Sequence, residues 1–135
     1  MNRREMLTGV AATSLAVTSL ATSAHAVEYV PGLVKQRLAA GETVLLAYHA
    51  KWCSTCAAQE RVINALKATN PSYEQGITFV EADWDQHGRS GLARELRIPR
   101  RSTLILLRGN QELGRLVADT REDAIRNLMD TALIS

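Results

Sequence analysis

The sequence predicts an α/β domain, a three-layer sandwich in which a central mixed sheet is flanked by helices. Three observations carry this. Two nearly continuous apolar runs of strand length, TVLLAYHA (43–50) and GITFVEADW (76–84), have the composition of strands buried on both faces. Helical patterns alternate with them, as expected where parallel strands are joined by crossover helices. Further on, STLILLRGN and QELGRLVAD meet around Gly109-Asn110, a hairpin signal that adds antiparallel strands to the sheet.

The first 26 residues read as an export signal and not as fold. MNRRE carries positive charge, VAATSLAVTSL is a short apolar run, and Ala24-His25-Ala26 offers a small-residue cleavage site. The run is shorter than a membrane span and is interrupted by Thr and Ser, so stable membrane insertion is not expected after cleavage. Arg3-Arg4 before Glu5-Met6-Leu7 resembles a twin-arginine signal, with Met6 where that pattern usually has Phe; an ordinary secretory route stays open. The expected organisation is a cleavable signal over 1–26 and one domain over 27–135, placing the mature chain in the periplasm.

Within that domain, Pro31 suits a helix start, and GLVKQRLAA runs to Gly41 as a stop. TVLLAYHA follows as a strand, then CAAQERVINALKAT as a helix ended by Asn70-Pro71, its apolar side gathering Cys56, Val62, Ile63 and Leu66. GITFVEADW is the second buried strand and RSGLARELR a second amphipathic helix. After the hairpin, TREDAIRNLMDTAL offers Thr120 as N-cap and places Ala124, Ile125, Leu128, Met129 and Leu133 at helical spacing. Removing Arg3, Arg4 and Glu5 from the 16 basic and 14 acidic residues leaves a net charge of +1. With no basic stripe and no aromatic-basic interleaving, nothing points to nucleic acid.

The chemistry lies in AKWCSTCAAQE (50–60), which holds the only two cysteines, Cys53 and Cys56. They fall where a central strand's C-terminal end turns into a helix, and helix N-termini present unpaired N–H groups that favour a thiolate. Cys53 at the helix start is expected to be reachable from solvent, and Cys56, one turn in, to be shielded. That asymmetry suits a two-step exchange in which Cys53 attacks a disulfide and Cys56 resolves the mixed disulfide. The electrons reside in the cysteine pair, so no cofactor is implied. A metal-binding or metal-delivery protein using the same pair is the competing class, with His49 and His87 as further ligand candidates. An inert bridge is the third, and it closes too small a loop to restrain the unfolded chain much.

YHAKWCSTC after a buried strand resembles the active-site segment of thioredoxin-like proteins, and the element order resembles that fold over the mature chain. GITFVEADW and the Glu60 position look closest to the C-terminal domain of the membrane-bound thiol:disulfide interchange reductase. The resemblance implies thiol–disulfide exchange with protein disulfides. A monomer is expected, and because an exported reductase must be re-reduced, so is an electron donor in the membrane. It also exposes two departures. Where the family commonly has a buried Asp six positions before the first cysteine, this chain has Ala47, so Glu60 is the expected proton carrier for Cys56 and Glu81 the second candidate. Where the family has a cis-proline followed by Thr, RIPRRSTLILL aligns Ser102 with the proline and Thr103 with the Thr; Pro99 fits only with three residues inserted. The loop of Arg101, Ser102 and Thr103, with Trp52, is the expected substrate-binding surface. Lys51, Arg100 and Arg101 would favour the Cys53 thiolate and an acidic partner.

Overall fold

A computed structural model describes residues 26–134. Five strands form one mixed sheet: β1 (Val27–Glu28), β2 (Thr43–His49), β3 (Thr78–Asp83), β4 (Thr103–Arg108) and β5 (Gln111–Val117). Their order across the sheet is β1-β3-β2-β4-β5. The helices are α1 (Leu33–Ala39), α2 (Ser54–Thr69), α3 (Ser72–Gly76), α4 (Trp84–His87), α5 (Gly91–Glu95) and α6 (Glu122–Ala132). The expected three-layer sandwich is therefore present. The expected export signal lies outside the described residues, apart from its last position, Ala26. No helix among the described residues is long and apolar enough to cross a membrane.

β2 is central because its sequence can be buried on both sides. It pairs in parallel with β3 and antiparallel with β4, and four of its first five residues are almost inaccessible. Alternation then divides the core. Leu46, Tyr48, Val80 and Ile105 face one side with Val34 of α1, while Leu45, Leu104 and Leu106 face the other with Ile63, Ile125 and Met129 of α2 and α6. The hairpin turns at Gly109, whose φ of +59° is a conformation that an L side chain rarely adopts.

Three small elements have no counterpart in the sequence reading: β1, α3 and α4. Each is two to five residues long, too short for a hydrophobic period to register. The start of α6 also differs from expectation. Arg121, not Thr120, occupies the N-cap position, and the Asp119 carboxylate accepts the Arg121 N–H at 3.0 Å while pairing with its guanidinium at 2.7 Å. An Asx-type turn one residue upstream of Thr120 thus replaces the hydroxyl cap. Its hydrogen bonds hold the Asp119 carboxyl down at about 2.

Candidate active site at the start of α2

The chain leaves β2 at His49 and turns through Ala50, Lys51 and Trp52, and the Cys53 N–H donates to the Ala50 carbonyl at 3.1 Å. Cys53 is the N-cap of α2, with extended backbone angles (φ −94°, ψ 106°). Its sulfur takes the place of a capping oxygen and accepts the Cys56 N–H at 3.1 Å. One donor left over by helix geometry is thereby satisfied by sulfur, an interaction that strengthens when the sulfur is a thiolate. The two cysteines are joined as a disulfide. Contrary to expectation, burial does not distinguish them: Cys53 is 4% exposed and Cys56 5%. Both lie in one small cluster with Ala50 and Trp84, so the difference between them is positional, one capping the helix and the other inside its first turn.

Ser102 closes the site from the opposite side. Its hydroxyl lies 3.2 Å from Cys53 Sγ and 3.1 Å from Cys56 Sγ. The residue is fully buried and sits in the left-handed region at φ +63°, with no cis peptide bond among the described residues. A non-glycine residue held there costs about 1–3 kcal/mol, so its surroundings must hold it. Three hydrogen bonds do so. Its N–H donates to the Tyr48 carbonyl at 2.8 Å, and its own carbonyl accepts the Ala118 N–H at 2.9 Å and Gln59 Nε2 at 2.9 Å. The backbone N–H and C=O of Ser102 are thus spoken for within the chain. Only its hydroxyl is turned to chemistry, and toward the sulfurs.

The remaining residues expected at a substrate surface separate into two groups. Thr103 is fully buried and spends its hydroxyl on the Arg100 carbonyl at 2.7 Å, so it presents no side chain to a partner. Trp52 is 61% exposed, donates its indole N–H to Asp85 at 3.0 Å, and lies under the Arg101 guanidinium at 4.3 Å. Arg101 keeps a buried Nε without a hydrogen-bond partner beside this stack. Pro99 is exposed and Ser102 is the residue against the sulfurs, as its alignment with the strand start implied. Buried Tyr48 and partly buried Trp84 meet edge-to-face at 6.0 Å.

Gln59 is the residue the sequence reading leaves out. It is 2% exposed on the apolar side of α2, three positions after Cys56, and Nε2 also donates to the Asp119 carbonyl at 3.1 Å. The spacing 56, 59, 63, 66 of buried positions on α2 is the available signal, and a polar residue within it marks a side chain with buried partners.

Behind Cys56, between α2, β2 and β3, lies a cavity of about 40 Å³. Ala47, His49, Cys56, Glu60 and Glu81 all contribute to its wall. Glu60 is exposed at its rim. Glu81 is half-buried, 3.8 Å from His49 Nε2, and burial pushes its carboxyl up despite the opposing pull of His49. Among the described residues, no group of three or more His, Cys, Asp or Glu side chains is placed to hold a metal ion.

The Thioredoxin family profile matches residues 23–131. The chain belongs to the thioredoxin family. Among solved structures it is similar to Trxlp from Edwardsiella tarda EIB202, at 30% identity and a TM-score of 0.67, covering 77% of this chain and 98% of that one. The germline-specific thioredoxin Deadhead from Drosophila melanogaster aligns at 23% identity and a TM-score of 0.61, over 79% of this chain and 97% of its own. Thioredoxin f from spinach chloroplast aligns at 21% identity and a TM-score of 0.65, over 81% and 87%. A search of curated proteins finds no match. With the cysteine pair of the family in place at the start of α2, this thioredoxin is a thiol–disulfide oxidoreductase.

Proposed function

We propose that this thioredoxin is an exported reductase of protein disulfides, acting as a monomer in the periplasm and recharged by an electron donor in the membrane. The observation that carries the exchange chemistry is the cysteine pair itself, with Cys53 capping α2 and the Ser102 hydroxyl within 3.2 Å of both sulfurs. Export is supported by the charged start, apolar run and Ala24-His25-Ala26 in sequence order.

In the reducing direction the Cys53 thiolate attacks a substrate disulfide and expels one thiolate. The Cys56 thiol then loses its proton to a carboxylate lining the cavity, attacks Cys53 Sγ, and expels the second thiolate as the Cys53–Cys56 bond forms. The Cys56 N–H and the Ser102 hydroxyl stabilise charge on sulfur during both steps. Trp52, exposed and stacked under the Arg101 guanidinium, forms the outward contact surface for the partner.

The test is thiol trapping across glutathione and dithiothreitol buffers, with cysteine variants. A reduction potential near about −270 mV fits a reductant fed by a donor, and one near about −120 mV overturns the reductase direction in favour of an oxidant. Cys53→Ser is expected to abolish exchange, and Cys56→Ser to accumulate mixed disulfides. A Cys56→Ser protein that traps no partner would sink the two-step scheme.

A further inference from the structure

Resolution of a mixed disulfide requires Cys56 to give up a proton inside a nearly closed site. The Ser102 hydroxyl, 3.1 Å from Cys56 Sγ, is too weak a base to keep one. The cavity behind Cys56 holds the alternatives, namely the carboxylates of Glu60 and Glu81 and the imidazole of His49. Their placement differs. Glu60 stands at the exposed rim on α2, one turn beyond Cys56, while Glu81 comes from β3 and lies within the wall. Parallel pairing sets Ala47 of β2 directly beside Glu81. Both side chains point to the α2 side of the sheet, and the methyl group of Ala47 leaves the space that makes the cavity. At about 40 Å³ the space admits one or a few waters, enough to bridge a thiol and a carboxylate.

We propose that Glu81, held by His49, is the proton-relay residue for Cys56, connected to it through the water-sized cavity that Ala47 leaves open. The inference rests on the exchange reaction proposed above. In the resolving step the Cys56 proton passes through cavity water to the Glu81 carboxylate. The Cys56 thiolate attacks Cys53 Sγ, the Cys53–Cys56 bond forms, and the bond from Cys53 to the substrate sulfur breaks. The electron pair leaves on the substrate thiolate, which takes a proton from solvent, and the partly exposed Glu81 returns its own proton to solvent. The charged groups acting on Glu81 are His49 on β2, Glu60 and Lys67 on α2, and Glu28 on β1. Burial lifts the carboxyl above its ordinary value, which makes the carboxylate a stronger base toward the Cys56 thiol.

A chromogenic aromatic disulfide such as 5,5′-dithiobis(2-nitrobenzoate) separates the two steps. The first release of coloured thiolate reports attack by Cys53, and the second reports resolution by Cys56. Both are followed by stopped flow on the reduced protein from about pH 5 to about pH 9. Glu81→Gln is expected to slow the second release relative to the first by on the order of 100-fold near neutrality, with the deficit closing at high pH, where Cys56 ionises unaided. Glu81→Asp should restore part of the loss. His49→Gln should move the pH midpoint of the second release upward, because the interaction that pulls the Glu81 carboxyl down is gone. A normal second release in Glu81→Gln, or a larger deficit in Glu60→Gln, overturns the relay while leaving the exchange reaction intact. Absence of the first release in the native protein overturns both.

Discussion

At the scale of single residues, Ser102 sets the character of the site. Its hydroxyl lies within hydrogen-bond distance of both sulfurs, and on reduction it becomes a donor to whichever cysteine is ionised. A hydrogen bond to a charged acceptor is worth about 1.5 kcal/mol. Since it stabilises the reduced form more than the disulfide, Ser102→Ala should make the pair more reducing, by about 30 mV for that energy. Thiol trapping against glutathione measures the shift, and a potential that rises in the variant would show that the hydroxyl favours the oxidised form instead. Ser102→Pro is a different perturbation. Proline is confined near φ −65° and lacks the N–H that donates to Tyr48, so it cannot enter the present backbone without moving the loop.

At the scale of elements, the site depends on how α2 is tied to the segments facing it. Gln59 connects the helix to the carbonyls of Ser102 and Asp119, residues 43 and 60 positions away. Gln59→Leu keeps the volume and removes both donors, leaving buried acceptors short of partners at a cost of about 1–3 kcal/mol. Urea denaturation should show that loss, and hydrogen exchange should quicken at the Ala118 N–H, which shares the Ser102 carbonyl. Unchanged protection there would mean that the φ +63° loop holds itself. The same residue shows where sequence reading stops. β2, β3, the hairpin and the long helices are legible because each repeats its period several times. Ser102 is legible as the last residue before the apolar run of β4. Its left-handed backbone is not, because serine carries no signal for that region, and neither are the buried role of Gln59 and the nearly equal shielding of Cys53 and Cys56, which depend on chain segments distant in sequence.

At the scale of the whole molecule, the relay imposes a stability cost that can be measured without any substrate. Burial raises the Glu81 carboxyl above its ordinary value, His49 and Lys67 pulling it down and Glu60 and Glu28 adding to the rise. The folded protein therefore binds this proton more tightly than the unfolded chain does. The resulting stabilisation is complete below the unfolded carboxyl value, about 4.3, and is lost as pH rises through the raised folded value. At neutral pH an ionised, half-buried Glu81 is thus a net burden on the fold. Glu81→Gln retains the shape without the charge, so its midpoint of thermal unfolding should lie above that of the native protein at pH 7, and the gap should shrink as the pH is lowered through the carboxylate range. A variant that is less stable at pH 7 would mean that the 3.8 Å pairing with His49 outweighs the burial. Greater stability combined with slower resolution is the pattern expected of a group retained for its chemistry, because a mutation that only loosened the packing would lower both.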